Sequence, residues 1–231
     1  MTKVQFYGHA LPGPLAAHLP GKLVVVEGPD GVGRSTQIAL LREWLEAKGF
    51  AVYSSGLTRS ELASQGIAEA KQGHTLGNIT MALFYAADFA DRLEREIIPA
   101  LRAGFVVLTD RYIYSLIARS LVRGVDGDWL RSLFGCALMP DAIFFLRCSV
   151  KDLMPRVLGS RGFDFWESGM DFSGTADYYQ GFTKYQQRML DTFEELGQEY
   201  GFVDIDATHG IRDTFLSLRQ AVEEIVIELK P

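Results

Sequence analysis

The chain has 231 residues, of which 48% are hydrophobic and 23% are charged, so it fits one globular domain and a second only if that one is small. Its formal net charge of −6 argues against nucleic-acid binding as the main function, because surfaces that bind nucleic acids are basic. The sequence has neither an apolar run long enough to span a membrane nor the basic start of a secretory signal, so we expect a cytoplasmic protein without membrane or nucleic-acid partners.

The chain is expected to begin with an extension, residues 1–21, whose glycines and prolines indicate an irregular segment on the surface. The domain proper is expected over residues 22–231. The apolar, β-branched run Leu23–Val26 is typical of a central parallel strand buried on both faces. Ser35–Lys48 has the spacing of an amphipathic helix that ends at Gly49.

Further strands and helices alternate along the rest of the chain. A long helix is expected over Ile79–Ala103, with Pro99 kinking or interrupting it, and a last helix over Ile211–Leu229. The additional strands are expected over residues 50–53, 105–108, 142–146 and 202–205. This order predicts an α/β fold, a doubly wound five-stranded parallel sheet with helices on both faces. In such sheets a ligand lies beyond the carboxyl ends of the strands.

A glycine-rich run directly follows the first strand and opens the first helix. Residues 28–36 have the spacing G-x-x-x-x-G-[K]-[ST] of a phosphate-binding loop (P-loop). Its backbone N–H groups and the helix N-terminus attract phosphate oxygens, and the Ser35 hydroxyl is placed to bind a magnesium ion. The residues predicted to bind the nucleotide are Gly28, Asp30, Gly31, Val32, Gly33, Arg34, Ser35 and Thr36.

Arg34 stands where this loop normally has lysine. Arginine keeps the positive charge and can bind phosphate through two N–H groups, but its planar fork does not replace a compact ammonium. Two alternatives therefore stay open: an active phosphotransferase, or a nucleotide-binding protein that has lost the chemistry.

Polar residues also follow the second and third strands. Asp110 and Arg111 end the third strand, which we expect to lie next to the first. Asp110 would then reach the magnesium near Ser35 and Arg111 would face the phosphates, although Asp110 could instead cap the following helix. Arg59 follows the second strand and so lies at the same edge of the sheet.

These motifs together resemble those of the thymidylate kinases. The run Val26–Gln37 is similar to that family's E-G-x-D-G-x-G-K-[ST]-T-Q, and residues 110–112 are similar to its D-R-[YH] motif. Residues 83–101 resemble its substrate helix, and the likeness extends from about Lys22 to the end of the chain. The resemblance implies a P-loop nucleoside monophosphate kinase architecture with a lid and a homodimeric assembly. It also implies ATP- and Mg²⁺-dependent phosphorylation of a deoxynucleoside 5′-monophosphate, with dTMP converted to dTDP.

The resemblance also implies roles for individual residues. Tyr85 would stack on the base, and Arg156 and Arg161, in a lid over about residues 156–176, would supply charge that the apolar Val32 does not. The residues assigned to the acceptor are Asp30, Arg59, Tyr85, Phe89, Arg111, Tyr112 and Ser115. Those assigned to catalysis are Arg34, Asp30, Arg111, Arg161 and Arg156, and those assigned to the metal are Ser35 and Asp110.

The substrate helix departs from the family pattern. Phe89 and Asp91 stand where an arginine and a glutamine read thymine in the family, and Arg92 is the nearest possible substitute. A site without its hydrogen-bond donors loses its preference for the base it was built to read. The alternatives to a dTMP kinase are therefore a kinase for another pyrimidine or modified nucleotide, and a catalytically reduced nucleotide-binding module.

Overall fold

The structure is a computed structural model and describes residues 4–9, 18–58, 60–73, 76–160, 162–171 and 174–229. One parallel sheet is formed by β1 (Lys22–Glu27), β2 (Val52–Gly56), β3 (Val106–Asp110), β4 (Ala142–Arg147) and β5 (Val203–Asp206). Its strands lie side by side in the order β2-β3-β1-β4-β5. The predicted five-stranded parallel sheet is confirmed, and the strand that leads into the phosphate-binding loop is at its centre.

The strands are connected mainly by helices. Their bounds are α1 (Arg34–Ala47), α2 (Ser64–Gly73), α3 (Asn78–Arg92), α4 (Ile98–Arg102), α5 (Ile113–Val122), α6 (Gly127–Leu133), α7 (Val150–Leu158), α8 (Tyr178–Tyr200) and α9 (Ile211–Val226). In the part of the chain that the structure describes, no helix is both long and apolar enough to cross a membrane.

Helices cover both faces of the sheet, as a doubly wound fold requires. Side chains of a strand alternate between the faces, and β1 divides its apolar residues accordingly. Leu23 and Val25 pack in a core with α3, α5 and α8, whereas Val24 and Val26 pack in a second core with α1 and α9. Because both faces are buried, the strand is continuously apolar, and this is why the run was recognisable in the sequence.

The long helix predicted over residues 79–103 is interrupted, but by a turn of π-helix rather than by a break. The π turn Leu93–Ile97 joins α3 to α4, and the N–H of Ile98 donates to the Leu93 carbonyl five residues back. Pro99 follows directly and has no N–H to donate. A π turn widens the helix locally. Before a proline, this moves the carbonyl of the preceding turn away from the proline ring, with which it would otherwise clash.

Two elements differ from the predictions by three residues at one end, and the other boundaries differ by two residues or fewer. The second strand covers Val52–Gly56 instead of residues 50–53, and the last helix ends at Val226 instead of Leu229. Gly49 lies just beyond the end of α1, and the N–H of Phe50 still donates a hydrogen bond to the Leu45 carbonyl. Residue 50 is therefore still bonded to the end of the helix, and the strand begins later than predicted. Pairing with β3 then starts at Val52.

The described part of the N-terminal extension, residues 4–9, lies against the body of the protein. Phe6 forms an isolated antiparallel bridge with Leu138, and the hydroxyls of Tyr7 and Tyr114 are hydrogen-bonded. Most of the extension, residues 1–3 and 10–17, lies outside the described residues. The boundary at Gly21 stays a prediction.

Candidate active site

The phosphate-binding loop connects β1 to α1 at the carboxyl edge of the sheet. All three of its glycines have backbone conformations that other residues rarely adopt, with φ of 147° at Gly28, 85° at Gly31 and 101° at Gly33. A Cβ atom at Gly28 would lie 3.0 Å from the Leu146 carbonyl oxygen, so close contact with β4 also requires glycine. Gly33 precedes α1 without a side-chain cap, which leaves the helix N-terminus suited to an anion.

Ser35 and Asp110, the residues predicted to serve the metal, meet at this edge. Asp110 ends β3 and lies in register with Val26 of the neighbouring β1. The Ser35 hydroxyl donates a hydrogen bond to Asp110 Oδ2 at 2.8 Å. A hydroxyl and a carboxylate offer the hard oxygen ligands that Mg²⁺ takes, so this pair of side chains fits the predicted ion.

Arg34 is turned into the protein, with 7% of its side chain exposed. Its Nε donates to Asp110 Oδ1 at 2.9 Å, and its Nη1 donates to the carbonyl oxygens of Gly28 and Pro29. A planar guanidinium can connect a carboxylate to two carbonyls because its donors are spread over three nitrogens. Arg34 therefore braces the loop against β3, a role that its predicted grip on phosphate does not include.

Asp30 is the centre of a cluster of arginines and is only 5% exposed. Arg111 Nη2 contacts Asp30 Oδ1, and Arg119 Nη2 lies 3.3 and 3.1 Å from Oδ1 and Oδ2. Arg34 Nη2 is 3.7 Å from Oδ1. Arg111 has a left-handed backbone conformation, with φ of 69°, which is uncommon for a residue with a side chain. The structure thus places Asp30 beside Arg111, two residues that were each assigned to the acceptor, and adds Arg119, which the sequence pattern did not indicate.

Glu27, the last residue of β1, was also missed and connects the loop to helix α5. It is fully buried and accepts hydrogen bonds from the backbone N–H groups of Tyr112 at 2.9 Å and Ser115 at 3.2 Å. The Ser115 hydroxyl donates to its other oxygen at 2.6 Å. Burial raises the pKa of Glu27 above its ordinary value, and the hydrogen bonds from Ser115 and Tyr112 oppose that increase.

Tyr112 and Ser115, both predicted to contact the acceptor, therefore have a different place. The Tyr112 hydroxyl donates to the Leu138 carbonyl at 3.2 Å, and its side chain is fully buried. Ser115 is 1% exposed and bound to Glu27. Their side chains build the frame behind the cluster, because the turn after β3 directs them into the core while Arg111 is directed toward Asp30.

A cavity extends from the arginine cluster between α2, α3, α5 and the chain that precedes α8. Tyr85, predicted to stack on the base, lies in its wall. The other side chains relevant here are Lys71, Arg119, Arg123, Trp166 and Tyr185. Aromatic rings with a few charged groups are typical of a pocket for a small polar ligand. Arg119 belongs both to this wall and to the cluster around Asp30, so the cavity borders that cluster.

Phe89 is not part of this cavity, contrary to the prediction that it contacts the acceptor. It is 1% exposed and packs edge-on against Tyr112 and Phe134, with ring centroids 5.1 and 6.1 Å apart. Phe89 lies one helical turn beyond Tyr85 on the same side of α3, and its apolar ring is stabilised by the core that it meets there.

Arg92 and Asp91, the polar residues near Phe89, are also committed elsewhere. Arg92 is buried and its Nε donates to Asp88 Oδ2 at 3.0 Å, so it does not replace a base-reading arginine. Asp91 accepts a hydrogen bond from the Ser60 hydroxyl at 2.6 Å and pairs with Arg95.

Asp88 anchors the loop that follows β2. Its two carboxylate oxygens accept hydrogen bonds from the N–H groups of Thr58 at 3.1 Å and Ser60 at 3.0 Å. Arg59, predicted to hold the acceptor phosphate, lies between these two residues but outside the described residues. One hydrogen bond from each of these two residues holds the backbone on both sides of position 59 against α3, at the carboxyl edge of β2.

The predicted lid segment crosses over the cavity. Arg123 holds it: Nε and Nη2 donate to Asp171 at 2.7 and 3.1 Å, and Nη2 donates to the Trp166 carbonyl at 3.2 Å. The Trp166 ring N–H donates to the Lys71 carbonyl at 3.1 Å. Residues 162–171 thereby form a roof fixed to both α5 and α2. Arg161 precedes this roof and lies outside the described residues.

Arg156, the other predicted lid arginine, binds backbone carbonyls. Its Nη2 donates to Ala207 at 2.7 Å and its Nη1 donates to Val32 at 3.3 Å. These contacts link α7, the phosphate-binding loop and the turn after β5. A second cavity, which Arg156 lines together with Thr36 and Gln37, lies on this side of the loop.

Comparison with known proteins agrees with this geometry. Residues 26–215 match the family model described as thymidylate kinase. A probable thymidylate kinase 2 of Saccharolobus solfataricus is 36% identical over 208 residues, which cover 89% of this chain and 97% of that protein. A thymidylate kinase of Caldicellulosiruptor saccharolyticus is 28% identical over 226 residues, which cover 90% of this chain and 98% of that protein.

A probable thymidylate kinase of Thermococcus kodakarensis is 38% identical over a shorter region of 143 residues, 58% of this chain and 70% of that protein. The family match includes both the loop and the Asp110–Arg111 turn, which the structure places side by side. The chain therefore belongs to the thymidylate kinase family of P-loop nucleoside monophosphate kinases.

Proposed function

We propose that the protein phosphorylates a deoxynucleoside 5′-monophosphate in an ATP- and Mg²⁺-dependent reaction, with dTMP as the acceptor. The observation that carries this proposal is that the phosphate-binding loop, the Ser35–Asp110 pair and the Asp30–Arg111 pair meet at one edge of the sheet. Arg119, which binds Asp30, also lines the cavity that contains Tyr85. The relatives named thymidylate kinase support dTMP as the acceptor.

The donor is assigned to the loop and to the second cavity. The loop's N–H groups and the start of α1 would hold the phosphates, and Ser35 and Asp110 would hold the ion. The nucleoside part would enter the cavity lined by Thr36, Gln37 and Arg156. When bound, magnesium–ATP supplies the γ-phosphoryl group and neutralises part of its charge.

The acceptor is assigned to the first cavity, with its phosphate toward the loop. Tyr85 offers a ring face for the base, and Arg111 offers a guanidinium for the phosphate. The work of the protein is then to fix two phosphates in line and to exclude water, which the roof over residues 162–171 does for the acceptor side. This proposal also includes the roles predicted for two further arginines: Arg59 would hold the acceptor phosphate, and Arg161 would supply positive charge from the lid.

We also propose a cytoplasmic homodimer. The resemblance to the family supports the dimer, and so does an apolar strip on α3. Ile79 and Leu83 lie one helical turn apart and are 50% and 46% exposed, although both are large hydrophobic residues.

Purified protein with ATP and Mg²⁺, tested against a panel of nucleoside monophosphates for ADP release, examines the proposed function. Turnover confined to dTMP is the expected result. Turnover with another base instead would support the related pyrimidine or modified-nucleotide kinase. ATP binding without turnover on any acceptor would exclude the enzyme and leave a nucleotide-binding module.

Arg34→Lys is expected to keep or raise turnover while it lowers the free energy of unfolding by about 1.5 kcal/mol or more. Lysine restores the usual residue of the loop but cannot join Asp110 to two carbonyls at once. Thermal unfolding and initial rates test the two parts separately. Arg42→Lys, on the exposed side of α1, is the matched control. A large loss of turnover in Arg34→Lys would mean that the arginine itself has a catalytic task.

A further inference from the structure

Helix α5 and the residue that follows it, Arg123, carry three polar side chains at intervals of four residues, and each one binds a different carboxylate. Ser115 binds Glu27 at the end of β1, Arg119 binds Asp30 of the loop, and Arg123 binds Asp171 of the roof. Residues four apart lie on one face of a helix, and of these three side chains Arg119 and Arg123 line the cavity. Ser115 stabilises the buried residues behind the cluster, and Arg123 fixes the roof. Arg119 lies between them on this face of the helix.

Arg119 lies where the cavity meets the arginine cluster. Its side chain is 18% exposed, and it belongs to the cavity wall together with Tyr85. Its Nη2 reaches both oxygens of Asp30, at 3.3 and 3.1 Å. A guanidinium in this place is close both to the loop and to any molecule that stacks on Tyr85.

The other arginines near the loop differ in what they bind. Arg34 donates to Asp110 and to two carbonyls, and Arg156 donates to the carbonyls of Val32 and Ala207. Arg111 and Arg119 instead have Asp30 as their nearest carboxylate, whereas Arg34 Nη2 is farther from it, at 3.7 Å. A guanidinium group that is already hydrogen-bonded to a carboxylate is held in one orientation, so its remaining N–H donors can bind a second anion.

A carboxylate held between two guanidinium groups has the geometry that a phosphate also satisfies, because both offer charged oxygens to paired N–H donors. Asp30 follows the first glycine of the loop by two residues, so this anion lies beside the donor phosphates. An acceptor phosphate must come to that same place for transfer to occur in line.

We propose that Arg119 binds the 5′-phosphate of the acceptor together with Arg111, and that Asp30 orients both guanidinium groups until the phosphate arrives. This assignment rests on the proposed function and adds a substrate-binding residue to it. Neither the spacing of the loop nor the turn after β3 predicts that Arg119 contacts Asp30. Arg119 lies on α5, eight residues after Arg111, and only the packing of this helix places it beside the loop.

Steady-state kinetics of Arg119→Gln tests the assignment, with the KM of dTMP and the inhibition constant of thymidine against dTMP as the two main readouts. We expect the KM of dTMP to rise about 10- to 100-fold, the size of one hydrogen-bonded charge contact. The inhibition constant of thymidine, which has no phosphate, should stay within about twofold, and so should the KM of ATP.

Two further variants separate substrate binding from structure. Arg119→Lys keeps the charge without the fork and should recover part of the affinity for dTMP. Arg131→Gln removes a surface arginine that pairs with Glu199, and it should leave both constants unchanged. Equal weakening of dTMP and thymidine would place Arg119 at the sugar or base and overturn the proposal, as would an unchanged KM of dTMP in a folded protein.

A failure of the proposed function can be distinguished from a failure of the assignment of Arg119. If the wild-type protein uses a different monophosphate, that monophosphate and its nucleoside replace dTMP and thymidine in the same comparison. If no monophosphate is turned over, direct calorimetric titration with dTMP and with thymidine decides the proposal. Loss of dTMP binding alone in Arg119→Gln would then support it, and dTMP binding unaffected by the change would exclude it.

Discussion

Replacing Arg92 with methionine is expected to lower the free energy of unfolding by about 3–5 kcal/mol, because it leaves the carboxylate of Asp88 buried without its cation. Both side chains are 0% exposed, so water cannot take the place of the guanidinium. Methionine fills a similar volume, which limits any cavity and confines the effect to the lost charge partner. Urea denaturation monitored by circular dichroism measures the change.

Arg95→Met is the matched control for this experiment. Arg95 is also an arginine bound to an aspartate four residues earlier, Asp91, but its side chain is 75% exposed. An exposed ion pair contributes little, so its loss should cost less than about 1 kcal/mol. If both variants lose the same small amount, the pair formed by Arg92 and Asp88 is not an important part of stability.

A second replacement shows where the energy comes from. Asp88→Asn removes the buried charge but keeps an oxygen to accept from Thr58 or Ser60. The double variant Asp88→Asn with Arg92→Met should therefore be more stable than Arg92→Met alone. The same variant tests whether the loop that contains Arg59 depends on a charged anchor, since its KM for the acceptor can be compared with that of the single variants.

Asp110→Asn is expected to lower kcat on the order of 10²-fold, the usual effect of removing one preorganised charged group from a reaction centre. The amide can still accept from the Ser35 hydroxyl but carries no charge for a cation. It also weakens the brace from Arg34, which donates to Oδ1. Rates measured across a magnesium titration should show a higher magnesium requirement in the variant.

Asp204→Asn serves as the control, because Asp204 is an exposed aspartate of the sheet that pairs with Arg147 away from the loop. Its kcat and magnesium requirement should match those of the wild type. An Asp110→Asn protein with a normal kcat and a normal magnesium titration would remove Asp110 from the metal site, and the hydrogen bond to Ser35 would then be only structural.

Much of the fold could be predicted because three of the five strands are buried over nearly their whole length. β1, β3 and β4 are short apolar runs between polar turns, and the parallel order follows from the helices between them. The start of β2 could not be placed to the residue, since strand pairing with β3 decides it rather than local hydrophobicity. The π turn before Pro99 likewise depends on how the backbone adjusts around a missing N–H.

Part of the site could also be predicted, namely the residues placed by the backbone itself. Ser35 follows a loop whose spacing fixes it at the helix N-terminus, and Asp110 ends a strand adjacent to β1. Their contact at 2.8 Å follows from these two facts. Tyr112, Ser115 and Phe89 were assigned by sequence position alone, and the direction of each side chain proved to be inward.

The phosphate-binding loop, the parallel sheet around it and the meeting of Ser35 with Asp110 could be inferred from the chain, because glycine spacing and apolar runs are local patterns. The partners of the charged side chains became known from the three-dimensional arrangement. It turned Arg34 inward to Asp110, brought Arg119 to Asp30, and buried Arg92 with Asp88. The physical reason is that a buried charge takes the partner that folding places next to it, and that partner belongs to a distant element in most of these contacts.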